Sequence, residues 1–283
     1  MKDLYKYIKS HKSNTLIIAA LTIIMIVWLI WSNVTVDVNN YVISNQQIPN
    51  AFDEFRIAHI SDLHNAEFGS ENSKLIESVL ISNPDIIVLT GDTIDNFHTD
   101  IDLALNFLEQ AIKIAPCYYI TGNYEAWIGR VVFSEFEDKM LELGVMVLHN
   151  ESLLLEKEGE RIVLVGIDDP DYSVGFSKSL SEMATDEYFT VLLSHRPECF
   201  EEYVENGYDL VLSGHAHGGQ FRLPFIGGVL APNQGWFPKY DSGLYIKDNT
   251  TMIVSRGIGN SVVPIRINNR PELIIIELNS DNK

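Results

Sequence analysis

The stretch Ser213-Gly214-His215-Ala216-His217-Gly218-Gly219-Gln220 sets two imidazoles one residue apart between glycines. Neutral imidazole is a common transition-metal ligand. On an extended chain side chains alternate faces, so His215 and His217 are expected to point the same way. Five more candidate donors stand upstream: Asp62, His64, Asp92, Asn123 and His195. Each follows an apolar run that reads as a strand, and α/β sheets collect ligands beyond the carboxyl ends of their strands. Oxygen plus imidazole with no thiolate suits Mn, Fe or Zn. Seven donors exceed the needs of one such ion. They suit two divalent ions about 3.5–4 Å apart, the spacing used for in-line displacement at phosphorus.

These donors require a repeating scaffold. Strands are predicted at 56–60, 86–89 and 118–120, each followed by a polar turn and a helix, at 70–82, 99–115 and 133–143. In the first helix Leu75, Ile76, Val79 and Leu80 share a face. Strand, turn and helix recurring three times is the sequence form of an α/β layer. The second half is richer in strands. Residues 151–156 and 161–167 flank Glu158-Gly159-Glu160 as a hairpin. Further strands are expected at 189–193, 210–212, 243–247, 250–255 and 272–278, and an edge strand at 35–44. Residues 224–243, rich in Pro and Gly, are expected to form a long irregular loop, of the kind that often carries function.

The chain has 283 residues, a net charge of −19 and 46% hydrophobic residues. The charge argues against a nucleic-acid partner, which is bound with Lys and Arg. Two cysteines, Cys117 and Cys199, are too few for a disulfide framework or a zinc knuckle. Residues 15–31 carry no charge, follow Lys2, Lys6, Lys9 and Lys12, and end at Trp28 and Trp31. That reads as an uncleaved membrane anchor with an interfacial aromatic belt, the alternative being a cleaved signal peptide. The lysine bias places residues 1–31, a basic stub and anchor, with the N-terminus in the cytoplasm. A single catalytic domain, 32–283, would then lie outside, in a single-pass protein of the cell membrane.

The motifs Asp62-Leu63-His64, Gly91-Asp92, Gly122-Asn123-Tyr124-Glu125, His195 and Gly214-His215-Ala216-His217 resemble those of the calcineurin-like metallophosphoesterases. The resemblance covers about residues 52–278. Ser61-Asp62-Leu63-His64, Gly218-Gly219-Gln220 and the nearby N-terminal span look most like a membrane-associated, phosphodiesterase-like branch. It implies two packed mixed β-sheets flanked by helices. It implies one metal on Asp62, His64 and His217, a second on Asn123, His195 and His215, and Asp92 bridging them. A hydroxide between the ions would attack a phosphodiester or pyrophosphate, and Asn123, Tyr124 and His195 would be catalytic. The anchor suggests a cell-envelope or lipid-linked ester.

Tyr124 departs from the family, which usually has histidine there, oriented by the following acid. Phenol, with a pKa of about 10, is a weaker acid than imidazolium. Either the leaving group needs little protonation, or His98 or His149 donates instead, or turnover is slow. A metal-binding interaction domain with weak or lost catalysis is the rival reading. His59 is expected to be a packed core histidine, and Asp168, Asp169 and Asp171 a solvated acidic turn. Arg256 and Arg266 could grip phosphate or form surface ion pairs. Trp236, Phe237 and Tyr240 could form a rim facing lipid or sugar, or pack within their own loop.

Overall fold

The computed structural model describes residues 12–281; Lys2, Lys6 and Lys9 lie outside the described residues. The described residues open with helix α1 (Lys12–Val34), whose apolar side chains are largely exposed. Its 21-residue segment Asn14–Val34 is long and apolar enough to cross a membrane. The helix runs past Trp31, where the apolar run gives way to Ser32 and Asn33, to Val34.

There follow β1 (Asp37–Asn45), β2 (Phe55–Ile60), α2 (Ser73–Ser82), β3 (Ile86–Thr90), α3 (Ile101–Ala111), β4 (Cys117–Ile120), α4 (Asn123–Trp127), α5 (Arg130–Leu143) and β5 (Met146–Val147). The second half comprises β6 (Glu151–Lys157), β7 (Glu160–Gly166), α6 (Phe176–Met183), β8 (Thr190–Leu193), α7 (Phe200–Glu205) and β9 (Leu210–Ser213). Four two-residue strands come next: β10 (Arg222–Leu223), β11 (Gly227–Gly228), β12 (Leu230–Ala231) and β13 (Gly235–Trp236). The chain closes with β14 (Gly243–Lys247), β15 (Thr250–Val254) and β16 (Glu272–Ser280).

Two six-stranded mixed sheets result, ordered β1-β16-β2-β3-β4-β5 and β14-β15-β9-β8-β7-β6. Their inner faces meet in one core that includes Ile57, Val88, Ile120, Leu164, Val191 and Leu212. Runs buried on both faces are what parallel strands require. Helices α2, α3 and α5 cover the outer face of the first sheet through Leu75, Phe107 and Phe136. Helices α6 and α7 cover the second through Leu180 and Phe200. The order is helix, sheet, sheet, helix. Strands β2, β3 and β4 run parallel, as do β7, β8, β9 and β15, so their carboxyl ends line one edge of the sandwich.

Three local expectations need correction. Leu80 is exposed, because in a ten-residue helix the core stripe is set by Leu75 and Val79, and Leu80 lies a further 100° round. Residues 224–243 are mostly turns, as expected, but not wholly irregular: β11 pairs with β10 (Arg222–Leu223) and β12 with β13 as two short antiparallel hairpins. Pairings of two residues are too short to leave an alternation in the sequence. Tyr240 is buried in the core beneath α7, while Trp236 and Phe237 are exposed.

Candidate metal centre

All seven candidate donors lie at that edge and all are buried. Asp62 and His64 follow β2, Asp92 follows β3, and Asn123 opens α4 after β4. His195 follows β8, and His215 and His217 follow β9. Glycine permits the close approach. At Gly91, with φ +86°, an added Cβ would lie 2.4 Å from the Gly122 nitrogen; one on Gly122 would lie 2.3 Å from Asp92 Oδ1. The turns after β3 and β4 can therefore touch only without side chains.

The donors form two groups that share one carboxylate, Asp62, His64, Asp92 and His217 on one side and Asp92, His195 and His215 on the other. Asp92 Oδ2 lies 3.6 Å from His64 Nε2 and 3.3 Å from His195 Nε2. In the first group His217 Nε2 is 3.3 Å from both His64 Nε2 and Asp62 Oδ1. In the second, His195 Nε2 is 3.2 Å from Asn123 Oδ1 and 3.1 Å from His215 Nδ1. Ligands about 2.1 Å from a common ion in tetrahedral array stand roughly 3.4 Å apart. The separations match that spacing.

The imidazole pair does not share a direction. His215 and His217 have φ of +64° and +47°, so the chain is a tight turn rather than extended, and each ring enters a different group. The alternation rule holds only up to Ser213, where β9 ends.

Hydrogen bonds select the tautomers. His195 Nδ1 is 2.6 Å from the Thr90 carbonyl and donates to it, which leaves Nε2 facing the centre, where a metal would take the place of its proton. His215 Nε2 donates to Asn233 Oδ1 at 2.9 Å, which frees Nδ1. Burial drives His64 down to about 3, and His215 and His217 well below the ordinary imidazole value. Nearby positive charge adds to this, Arg266 acting on both His64 and His217. Neutral rings are the state in which imidazole binds metal.

The carboxylates move the other way. Burial raises Asp62, and it raises Asp92 to about 7. Burial alone would lower His195, but Asp92 and Asp62 hold it up at about 10. Raised carboxyls beside a raised imidazole mark a cluster short of positive charge. His64 Nδ1 is buried without a hydrogen-bond partner, its nearest acid being Asp95 Oδ2 at 3.8 Å. Divalent cations fit this donor set, and no thiolate is among it.

Around the donors stand residues whose parts the motifs do not show. Glu125 is fully buried and accepts the backbone N–H groups of Asp92, Thr93 and Gly122 at 2.7–3.0 Å, together with the Tyr119 hydroxyl. It clamps two turns together and does not orient its neighbour Tyr124. Tyr124 lies edge-on to His64, with ring centroids 4.5 Å apart, and its hydroxyl is 2.6 Å from Ser261 Oγ. The acidic loop is not solvated. Asp168 accepts from Thr121, His149 and Asn150, and Asp169 binds Arg196 with both oxygens. Arg196 Nη1 in turn lies 3.2 Å from His215 Nε2. Only Asp171 of the three is substantially exposed.

The alternative proton donors separate clearly. His149 is held by Asp168 at 2.9 Å and Glu137 at 2.8 Å, away from the donor groups, and these carboxylates raise it to about 9. His98 is exposed and borders a cavity of about 610 Å³ that opens beside His64 and is walled by Phe97, Asn260, Ser261 and Val262. His59 is a core residue, 2.8 Å from Thr90 Oγ1. Arg256 forms ion pairs with Asp37 and Glu272 at 3.0 and 3.1 Å. Arg266 is fully buried, bonds the Arg256 and Gly259 carbonyls and Asn260, and stands 3.5 Å from His217 Nδ1. Sequence carries no local sign of the Asp169–Arg196 pair or of Asn233, because the partners are far apart along the chain.

Comparison with known proteins agrees with the site. The family described as "Calcineurin-like phosphoesterase" matches residues 55–219. An "Uncharacterized metallophosphoesterase YkuE" of Bacillus subtilis (strain 168) is 32% identical over 260 residues, 87% of each chain. "Phosphodiesterase YaeI" of Escherichia coli (strain K12) is 29% identical, over 79% of this chain and 82% of that one. A "Transmembrane protein with metallophosphoesterase domain" of Danio rerio is 28% identical over 82% of this chain and 55% of its own length.

Proposed function

The chain belongs to the calcineurin-like phosphoesterase family, and on that footing we propose a two-metal hydrolase of phosphodiester or pyrophosphate bonds. Its substrate is a cell-envelope or lipid-linked ester. Asp62, His64 and His217 would hold one ion and Asn123, His195 and His215 the other, with Asp92 bridging. The observation that carries this reading is the single Asp92 Oδ2 standing within 3.6 Å of imidazoles from both groups. A carboxylate oxygen shared in this way has no use in a one-ion structural site, which argues against a binding domain without catalysis. Two divalent ions bound there would bring the pKa of water near neutral and offset charge on the phosphate oxygens.

The chain's own residues do the rest. The Thr90 carbonyl and Asn233 fix the tautomers of His195 and His215. Burial holds the Tyr124 phenol above its ordinary value, so it stays protonated and is a hydrogen-bond donor beside His64. A phenol there favours esters whose leaving group needs little protonation. The arrangement in the cell follows the anchor: residues 1–31 in and below the membrane, and the catalytic domain 32–283 outside.

The test is hydrolysis of bis(p-nitrophenyl) phosphate by the full chain in detergent, stripped of metal and refilled with Mn. Activity should return with Mn and fall by about a hundredfold or more in Asp92→Asn, since bridging-ligand loss removes several kcal/mol of transition-state stabilisation. Equal activity in both proteins would overturn the reading.

A further inference from the structure

The end of α1 is joined to the wall of the metal centre. Asn33 makes two hydrogen bonds to the main chain of Arg266, 2.9 Å to its carbonyl and 2.7 Å from its N–H. The Arg270 guanidinium lies 4.5 Å over the Trp31 ring. Only Thr35 and Val36 separate α1 from β1. The apolar segment of 21 residues is about 32 Å long, against a hydrocarbon core of about 30 Å. Asn33 therefore sits at the boundary of the bilayer, and whatever flanks Arg266 sits beside it.

What flanks Arg266 is apolar and exposed. Val262 is 72% exposed, and Ile265 and Ile267 are open on the same segment. The β10–β11 hairpin is tied to it, Arg222 N–H donating to the Ile267 carbonyl at 3.0 Å, and presents Phe225 and Ile226. Phe225 at the hairpin tip is fully exposed, at 108%. The segments also stand apart in charge. Residues 218–240 and 255–271 contain no Asp or Glu, in a chain that has 39. The two segments thus carry none of the groups that anionic headgroups would repel, and Asp37, just past the anchor, is paired with Arg256 and Arg270. Asn260, Ser261 and Val262 also wall the cavity beside His64.

We infer that the β10–β11 hairpin and residues 260–267 lie in the headgroup region of the leaflet at which α1 ends, so that the mouth of the metal centre opens onto the membrane surface. The bilayer is the partner, and the substrate is a phosphate ester of an amphiphile lying in that same leaflet. The substrate half rests on the hydrolytic reading above; the docking half does not.

The test uses the full chain in vesicles of phosphatidylcholine and phosphatidylglycerol carrying nitroxide-labelled lipid. A fluorophore is attached at Phe225→Cys, Val262→Cys or Val174→Cys, with the unsubstituted chain measuring background from Cys199. Lipid nitroxide should quench the first two labels several-fold more than Val174→Cys. Equal quenching at all three positions overturns the docking. The readout needs neither metal nor turnover, so it stands apart from any failure of hydrolysis. In the same vesicles Phe225→Glu should cut hydrolysis of a lipid-borne phosphodiester about tenfold and leave bis(p-nitrophenyl) phosphate unchanged. An equal loss on both, or none on either, overturns the substrate half.

Discussion

Asp62, His64 and Asp92, beyond β2 and β3, are held through main-chain atoms, whereas His215 and His217, beyond β9, are braced by distant side chains. In the first sheet Asp62 N–H bonds the Gly91 carbonyl at 3.1 Å and His64 N–H the Asp92 carbonyl at 3.0 Å. Tyr124 N–H donates to Asp92 Oδ1 at 2.8 Å, and Glu125 gathers three further N–H groups. In the second sheet Asp169 fixes Arg196 beside His215, Asn233 fixes the His215 tautomer, and Arg266 backs His217. Main-chain positioning couples the donors to the fold itself. Side-chain positioning leaves the fold intact when one brace is removed.

The comparison breaks most readily at Glu125. Glu125→Ala strips the acceptors from buried N–H groups that cost about 1–3 kcal/mol each when unpaired. The melting temperature should fall by roughly 10 °C or more, and activity with it, as differential scanning calorimetry and ester hydrolysis would show. A melting point within about 2 °C of the parent would place the clamp elsewhere.

Asp169→Asn should behave differently. Loss of such a supporting partner typically costs 10–100-fold in metal affinity. Metal titration should show weakening of one site and near-parental affinity at the other; equal weakening of both would erase the distinction between the sheets. Asn233→Ala acts on one hydrogen bond and should weaken the same site by less, on the order of tenfold. Tyr124→His, outside both braces, should leave an activated ester unchanged and speed an alkyl ester. A uniform gain would mean that the phenol limits every substrate.

The smallest effect is one of pH. His149 rises from 6.5 to about 9 because Asp168 and Glu137 favour its cation. A raised imidazole stabilises the fold fully below its unfolded value of about 6.5, and that contribution is lost as pH climbs through about 9. The difference in melting temperature between the parent and His149→Gln should shrink over that window. A constant difference would show that the ring works by packing.

The donors were legible because each stands just past a strand whose apolar run announces it, and parallel strands must deliver those ends to one edge. The first α/β layer, the hairpin β6–β7 and the edge position of β1 follow from the same patterning, whereas the second packed sheet was implied by the family resemblance. The divergence of His215 and His217 was not legible, since it depends on left-handed backbone beyond Ser213. Nor was the burial of Asp168 and Asp169. Their type and setting suggest a solvated turn, and only the arrival of Thr121, His149 and Arg196 from elsewhere in the chain makes a buried carboxylate tolerable. Tyr240 misled for a similar reason: its neighbours Trp236 and Phe237 are exposed, while its own ring is packed against Phe200 and Tyr245. Helix α4 has five residues, too few for a periodic signal, yet it carries Asn123, Tyr124 and Glu125.

The most direct test of the shared carboxylate is a count of metal per chain. The 283-residue chain, stripped and refilled with Mn and then freed of loose metal, is assayed by elemental analysis beside Asp92→Asn. Two ions per parent chain, with fewer in the variant, are expected. One ion per parent chain, unchanged by Asp92→Asn, would contradict a centre bridged by Asp92.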